Sequence, residues 1–417
     1  MAKKTIPNER ENAIMRILIG SGTYAPALNG EAIFTVSLAE GLAKLGHDVL
    51  VVFPSLRGKP YKSTLNGVRL HALRSVITNL IRPDTPIPFF LRSEIRKIID
   101  DFQPEIVHIQ DHFPPARPLA LEAQKRGLHL IGTNHFMPEN FAPYVPGSAH
   151  FRSFYNRALW LWVLEVYNRF EAVTTQSKKA AEVILAQRLR PPVFPISCGV
   201  SLERFHPVPA TDRLACRTRY GIDPNQIVFL YVGRVDREKR VDVLLRAMQR
   251  LQRDDVQLVV AGHGSASGEL ETLAKSLGLG NRVRFTGFIP NEDLPVLLNS
   301  VDVFTMPSEA ELLSIASLEA MASGKPLLLA DAVALPELVI QGKNGYLFKP
   351  SDPDDAARYM NLLVEQREQW AEMGAVSLEK AQCHSLDITV RRYEMLYEAV
   401  ISGEVESARE KLNSLCS

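Results

Sequence analysis

Short runs of uninterrupted apolar residues alternate with stretches of helical periodicity along nearly the whole chain. Met15 to Gly20 (MRILIG) is one such run; the Gly-, Pro- and Asn-containing loop SGTYAPALNG follows, then AIFTVSLAEGLAKLGH, then the apolar VLVVF. Runs of this length bounded by turn residues predict strands, and the longer pattern between them predicts a helix. Similar units follow in EIVHIQ, in LHLIGTNHF, and in EAVTTQS before KKAAEVILAQ. Strands that are apolar at every position, rather than at every second one, predict a parallel sheet covered by helices on both faces. Residues 1–197 are therefore expected to form a Rossmann-like domain.

The pattern breaks at PPVFPISCGVSLERFHPVPA, where Pro191, Pro192, Pro195, Pro207 and Pro209 punctuate a stretch without helical periodicity. It reads as an interdomain linker. Alternation resumes with QIVFLYVGR, the helix VDVLLRAMQRL, VQLVVAG, the helix GELETLAKSLGLG, VRFTGF, the helix EDLPVLLNS and VDVFTMPS. It runs on through the helix SLEAMASG, the strand PLLLA, a helix over PELVIQG and a turn at NGYLF. A second Rossmann-like domain over residues 205–385 is the expectation, and the amphipathic stretch within about 388–417 is a candidate to return to the first domain. The expected fold class is α/β, with two doubly wound domains facing a central cleft where strand ends bind ligands.

Composition narrows the class. The chain has 417 residues, 46% hydrophobic and 23% charged, with 24 Gly and 27 Pro in no fixed period. Two or three domains fit that length, whereas a collagen, a coiled coil or a wholly disordered chain does not fit the composition. The longest purely apolar run, Ala158 to Leu164, is far short of the roughly 20 residues of a spanning helix. The start, MAKKTIPNERENA, has no apolar core of a signal peptide, so a cytoplasmic location is expected. Cys198, Cys216, Cys383 and Cys416 are widely spaced without a CxxC and read as reduced thiols. Net charge is +1, yet residues 1–200 carry 24 Lys+Arg against 16 Asp+Glu, and the remainder carries 24 against 31. A basic first half suits an anionic partner; a chance imbalance on solvated faces is the bland alternative.

Candidate chemistry concentrates in the second half. Glu311 and Glu319 lie eight residues apart in PSEAELLSIASLEAMASGKP, too far to meet on one helical face. Glu311 is expected in a loop and Glu319 in the helix that follows. The backbone amides of Leu312, Leu313, Ser314 and Ile315 would then sit at the positive helix end, which favours phosphate or sugar oxygens. In YVGRVDREKRVDVLLRAM, Arg234 follows a strand end and Lys239 stands five on, so both cations can converge on one diphosphate. His108, Asp111 and His112 could form a metal cluster, but one carboxylate is thin support, and a loop lining the acceptor side is the alternative. Asp352 and Asp354 imitate a metal-binding pair; Ser351 and Pro353, placed as helix-start residues, explain them better by capping. Gly262-His263-Gly264 is too short to specify a dinucleotide site.

Taken in order, these motifs resemble family 4 of the retaining, GT-B fold glycosyltransferases, over nearly the whole chain. The resemblance rests on Tyr24, Pro26 and Gly30, on Gly46-His47, on VHIQDH at 107–112, on Thr133-Asn134-His135 and on CGVSLERFHP. It continues through Gly233-Arg234 with Lys239, Gly262 and Gly264, the Glu311/Glu319 pair with EAMASGKP, and NGYLF at 344–348. It implies that Arg234 and Lys239 neutralise a nucleotide diphosphate leaving group, with the Gly30 loop and Gly233 near the same phosphates and no metal or other cofactor required. His135 would bond the 6-hydroxyl of the donor sugar, Glu311 its 3-hydroxyl and Glu319 the ribose hydroxyls. Cations held in place where phosphate charge develops act on the transition state. The sequence departs from the family pattern at Leu313-Ser314, where Phe-Gly is usual, and at Cys198 and Ser201, where Asn and Asp are. Ser314 in place of Gly changes how closely a donor can approach that backbone.

For the acceptor, residues 51–100 hold Arg57, Lys59, Lys62, Arg69, Arg74, Arg82, Arg92, Arg96 and Lys97 with Ile87, Pro88, Phe89 and Phe90. FRSFYNRALWLWVLEVYNRF adds Phe151, Phe154, Tyr155, Trp160, Trp162 and Tyr167 with Arg152, Arg157 and Arg169. Basic residues among aromatics suit an anionic membrane surface; a helix packed in the core is the alternative. The wording of residues 311–339 resembles the diacylglycerol glucosyltransferase branch. That implies transfer of glucose from UDP-glucose to a membrane lipid such as diacylglycerol, by a protein peripheral on the inner face of the cell membrane. The alternatives are a soluble or polyprenyl-linked acceptor, for example in mannosyl transfer, and a non-catalytic nucleotide-sugar binding protein. No nucleic-acid recognition motif accompanies the basic residues.

Overall fold

The computed structural model describes residues 14–27, 29–78, 85–89, 91–138, 149–208 and 211–414. The chain divides into two compact units, one of residues 1–133, 166–173 and 394–408, the other of 134–165, 174–393 and 409–417.

In the first unit, Arg16–Gly20 lies between Asp48–Pro54 and Ile106–Ile109, parallel to both, with Leu18 opposite Leu50 and Val107. His129–Thr133 extends the sheet beside Ile106–Ile109, and Val68–Leu73 extends it beside Asp48–Pro54. Ile17, Leu18 and Ile19 are all fully buried, as a strand covered on both faces requires. The sheet is not purely parallel, because Tyr61–Leu65 runs antiparallel to Val68–Leu73 across Asn66-Gly67, where φ is +49° and +81°. Two residues with positive φ make the tight turn whose twist matches a hairpin. Residues 75–78 and 85–88 form a second small hairpin. Helix Leu91–Phe102 buries Leu91, Ile95, Ile98, Ile99 and Phe102 along one stripe and leaves Arg92, Arg96 and Lys97 exposed.

Residues 394–408 also belong to this unit. There His47 accepts the Met15 amide at Nδ1 (3.2 Å), so its ring proton sits on Nε2, 3.1 Å from Glu394 Oε1, while Tyr397 bonds the buried His108 at 2.8 Å.

The second unit holds a six-stranded parallel sheet in the order Val283–Gly287, Val256–Ala261, Ile227–Val232, Val303–Met306, Leu327–Ala330, Gly345–Phe348. NGYLF is thus a strand rather than a turn. A side chain at Gly345 would come within 2.0 Å of the Leu327 carbonyl, so only glycine lets this strand pair so closely. PELVIQG forms only the short 3-10 turn Leu335–Leu338 instead of a helix. Asn344 stops it, accepting the Ile340 amide at 2.6 Å and donating to the Leu338 carbonyl at 3.0 Å.

The Pro-rich stretch is more anchored than a linker. Val193–Pro195 is a strand, the Ile196 amide bonds the Thr175 carbonyl at 2.8 Å, and Val200 bonds His384 and Leu386 through its amide and carbonyl. Asp352, not Ser351, caps helix Pro353–Glu365, accepting the amides of Asp354 and Asp355. No disulfide joins Cys198, Cys216 or Cys383, and Cys416 lies outside the described residues. Among the described residues no helix is long and apolar enough to cross a membrane.

Candidate functional site

Strand Ile227–Val232 delivers the first cation. Beyond it the Tyr231 hydroxyl donates to the Arg234 carbonyl at 2.6 Å and fixes the turn. The Arg234 guanidinium then bonds Asp236 and, at 2.8 Å, Glu238. Asp236 is itself held by the amide and hydroxyl of Ser265, each at 2.8 Å. The 3-10 turn Arg237–Lys239 carries the chain onward, and Lys239 Nζ meets Glu311 Oε1 at 2.6 Å. That pair is largely enclosed, its side chains only 17% and 12% exposed, so it is screened far less than a surface ion pair. Lys239 and Glu311 are therefore brought together, while Arg234 is engaged with two other carboxylates.

Gly262 and Gly264 belong to this construction. A Cβ at Gly262 would stand 1.8 Å from the Gly233 carbonyl oxygen, and one at Gly264 would stand 2.4 Å from that of Val235. Their role is to let the next strand-end loop lie directly against residues 233–235.

Glu311 precedes helix Ile315–Ala322, whose cap is Ser314; its hydroxyl accepts the Ser317 amide at 3.1 Å. Serine here does what a capping residue does, a reason for Ser314 that owes nothing to the donor. Leu313 is buried, and Leu312 packs with Met137 and Ala180, which ties the loop after Glu311 to the segment that carries His135. Glu319 lies on the helix, as the helical pattern after Ser314 predicts, and burial pushes its carboxyl up to about 7, with the charge of Arg204 pulling the other way.

His135 sits beyond strand His129–Thr133, its Nδ1 2.6 Å from the Gln176 side-chain amide. Burial lowers its pKa to about 3, so the ring is neutral. With the amide donating to Nδ1, the ring proton is on Nε2, the arrangement of a hydrogen-bond donor to a hydroxyl. His135, Gly233, Arg234, Lys239, Glu311 to Ile315 and Glu319 all lie in the second unit.

Gly30 lies in the first unit, where it opens helix Gly30–Lys44 behind the cap Asn29, whose side chain accepts the Ala32 amide at 2.9 Å. The residue beside it is one that sequence reasoning missed. Glu31 accepts the Ser21 hydroxyl at 2.8 Å and pairs with Asp111, which accepts the amides of Gly22 and Phe113 at 2.7 Å each. Burial first, and then Asp111, raises the Glu31 carboxyl well above the usual range. No spacing rule joins positions 31 and 111. Asp111 thus serves the loop after the first strand, His108 is engaged with Tyr397 and Thr133, and no metal-binding group of three His, Cys, Asp or Glu exists among the described residues.

Residues 212–377 match the family model "Glycosyl transferases group 1", and residues 28–204 match "Glycosyltransferase Family 4". A GDP-mannose-dependent alpha-mannosyltransferase of Mycolicibacterium smegmatis is 30% identical over 363 residues, spanning 85% of this chain and 90% of that one. The chain is a family 4 glycosyltransferase. D-inositol 3-phosphate glycosyltransferase 1 of Catenulispora acidiphila is also 30% identical to this glycosyltransferase, over 72% of the chain and 73% of that relative. Among solved structures, sucrose-phosphate synthase of Thermosynechococcus elongatus superposes with a TM-score of 0.73 at 21% identity, over 93% of this chain and 100% of that one. Anabaena HepE in complex with UDP gives 0.74 at 18%, over 92% and 100%. The fold of this family 4 glycosyltransferase is GT-B, and each of the two family models falls on one of the two stretches where strand and helix alternate.

Proposed function

We propose that this glycosyltransferase is a metal-independent, retaining hexosyltransferase whose donor is a nucleotide diphosphate sugar held by the second unit. The observation that carries the proposal is the enclosed Lys239–Glu311 pair, tied through Leu312 and Met137 to the segment bearing His135. One cation, one acceptor carboxylate and one neutral ring donor are the groups that a sugar diphosphate needs. On binding, the diphosphate takes over Lys239 and Arg234 from their carboxylate partners, and Glu311 turns to a sugar hydroxyl. As the glycosidic bond to the diphosphate breaks, both cations meet the growing phosphate charge, the function a metal would otherwise perform. Glu319, its carboxyl poised near neutrality, accepts the vicinal ribose hydroxyls.

GDP-mannose is the first donor to test, because the mannosyltransferase relative aligns over most of both chains. The test is a donor screen with chelator present, read by mass spectrometry of the products. Mannosyl transfer from GDP-mannose supports the reading. Turnover of UDP-glucose alone returns the donor to the glucose reading drawn from sequence, and activity that needs a divalent ion refutes the metal-independent step.

A membrane lipid such as diacylglycerol is the acceptor supported by helix Ala149–Tyr167. Trp160, Val163 and Tyr167 are buried, as the core alternative expects, but Phe154 and Leu161 are 69% and 61% exposed and Trp162 is 38% exposed. Arg82 and Phe90 and the side chains of Phe151 and Arg152 lie outside the described residues. Co-sedimentation with vesicles of anionic lipid should fall as salt rises, and Arg92, Arg96 and Lys97 replaced by Glu should release the protein. Each surface cation contributes about 1 kcal/mol. Failure to bind such vesicles even at low salt would favour a soluble acceptor.

A further inference from the structure

The residue after Lys239 is unusual in its backbone and in its contacts. Arg240 has φ +53° and ψ +34°, the left-handed region that glycine enters freely and a residue with a Cβ enters at a cost. Its guanidinium reaches Asp242 at 3.1 Å, Glu309 Oε1 at 2.8 Å and the Ser351 hydroxyl. The Ser351 hydroxyl also bonds Glu309. Ser351 is itself left-handed, at φ +58°, although it caps no helix. Two non-glycine residues thus hold the same disfavoured conformation at the two ends of a three-way contact centred on Glu309. Disfavoured backbone of this kind persists where surrounding contacts demand a particular position.

The placement of that contact says what is being positioned. Residues 239 and 240 are consecutive on one loop, and 309 and 311 stand two apart on the other. Two ties join the same pair of loops: Lys239 to Glu311, and Arg240 to Glu309. Donor binding uses both partners of the first tie, Lys239 for the diphosphate and Glu311 for the sugar. Once they turn to the donor, the second tie still joins one loop to the other.

We propose that Arg240, Glu309 and Ser351 form a positioning latch that keeps the Glu311 loop in register with the Lys239 turn while the donor occupies both. None of the three touches the reacting atoms; they act through Lys239 and Glu311, and the proposal rests on the donor-site reading given above. A latch of this kind affects the reactive pose more than nucleotide capture, because the ribose is assigned to Glu319, which is not part of the latch. Small misplacements of a bound reactant are costly in rate.

The test uses the full chain carrying Arg240→Gly, Glu309→Gln, or both. Turnover is measured with GDP-mannose, GDP binding by calorimetry, and melting is followed for each variant; UDP-glucose and UDP replace them if that donor is the one used. Arg240→Gly relieves the backbone while removing the tie, so it should melt within about 2 °C of the parent. Its kcat should fall about tenfold or more, with nucleotide affinity changed less than about threefold. Glu309→Gln, which leaves the backbone alone, should show the same split, and it decides the matter if the glycine variant melts early. The double variant should be no worse than the worse single, as for residues acting as one unit. A kcat within about twofold of the parent in Glu309→Gln, or losses that multiply in the double variant, would overturn the latch. Undiminished turnover in Lys239→Ala would instead sink the donor-site reading itself.

Discussion

Replacing Glu319 with Gln should make the protein more stable and a worse nucleotide binder, and both effects should depend on pH. Burial raises this carboxyl from 4.5 to about 7. A group whose pKa is higher folded than unfolded binds its proton more tightly in the native state, so its contribution to stability is full below about 4.5 and is lost as pH rises through about 7. The gap converts to about 3 kcal/mol at about 1.4 kcal/mol per pH unit. Glutamine has nearly the same shape and no charge to desolvate. Glu319→Gln should therefore melt several degrees above the parent at pH 8, with the difference closing towards pH 5.

If the ribose hydroxyls bond the carboxylate as proposed, they favour its charged form and pull its pKa back towards the ordinary range. The parent should then bind nucleotide diphosphate about tenfold more weakly at pH 6 than at pH 8 and release close to one proton at pH 6. The Gln variant should keep only the dependence that comes from the phosphates. Melting curves and calorimetry across pH 5 to 8 read both. A variant that melts at or below the parent at pH 8, or a parent and variant with the same binding profile, would refute the reasoning.

Lys239→Ala and Arg234→Ala should each lower turnover at least about a hundredfold with little loss of folding, as removal of one preorganised charge-stabilising donor does; steady-state rates on purified variants check this. Gly262→Ala places a methyl 1.8 Å from the Gly233 carbonyl at φ +140° and should cost about 4 kcal/mol or more, seen as a large drop in melting temperature. Ser314→Ala should cost about 1 kcal/mol through loss of the helix cap and Ser314→Gly only a few tenths, measured by denaturant titration.

Much of the architecture is legible because burial on both faces leaves runs such as ILIG and LVVA with no polar interruption, and because the strand end at Met306 and the helical pattern after Ser314 put Glu311 in a loop and Glu319 on a helix. What escaped has physical reasons. The Asn66-Gly67 hairpin lies in a basic stretch that reads first as surface charge. NGYLF reads as a turn because its glycine marks a close strand approach, visible only with Leu327 beside it. Glu31 and Asp111 are eighty positions apart, and their meeting depends on how two strand ends lie side by side. Ser351 resembled a helix cap, yet Asp352 takes that role and frees Ser351 to meet Glu309. Local pattern reports periodicity and capping, whereas contacts between loops depend on the whole sheet.

The most direct measurement of the central claim is single-turnover transfer by the full chain and by Lys239→Ala, with GDP-mannose and UDP-glucose offered separately in the presence of chelator, and with the anomeric configuration of the product determined by NMR. The account predicts a hexosyl product that keeps the donor's α configuration, formed without added metal and at least about a hundredfold more slowly in the variant. Inverted product, or equal rates in parent and variant, would contradict it.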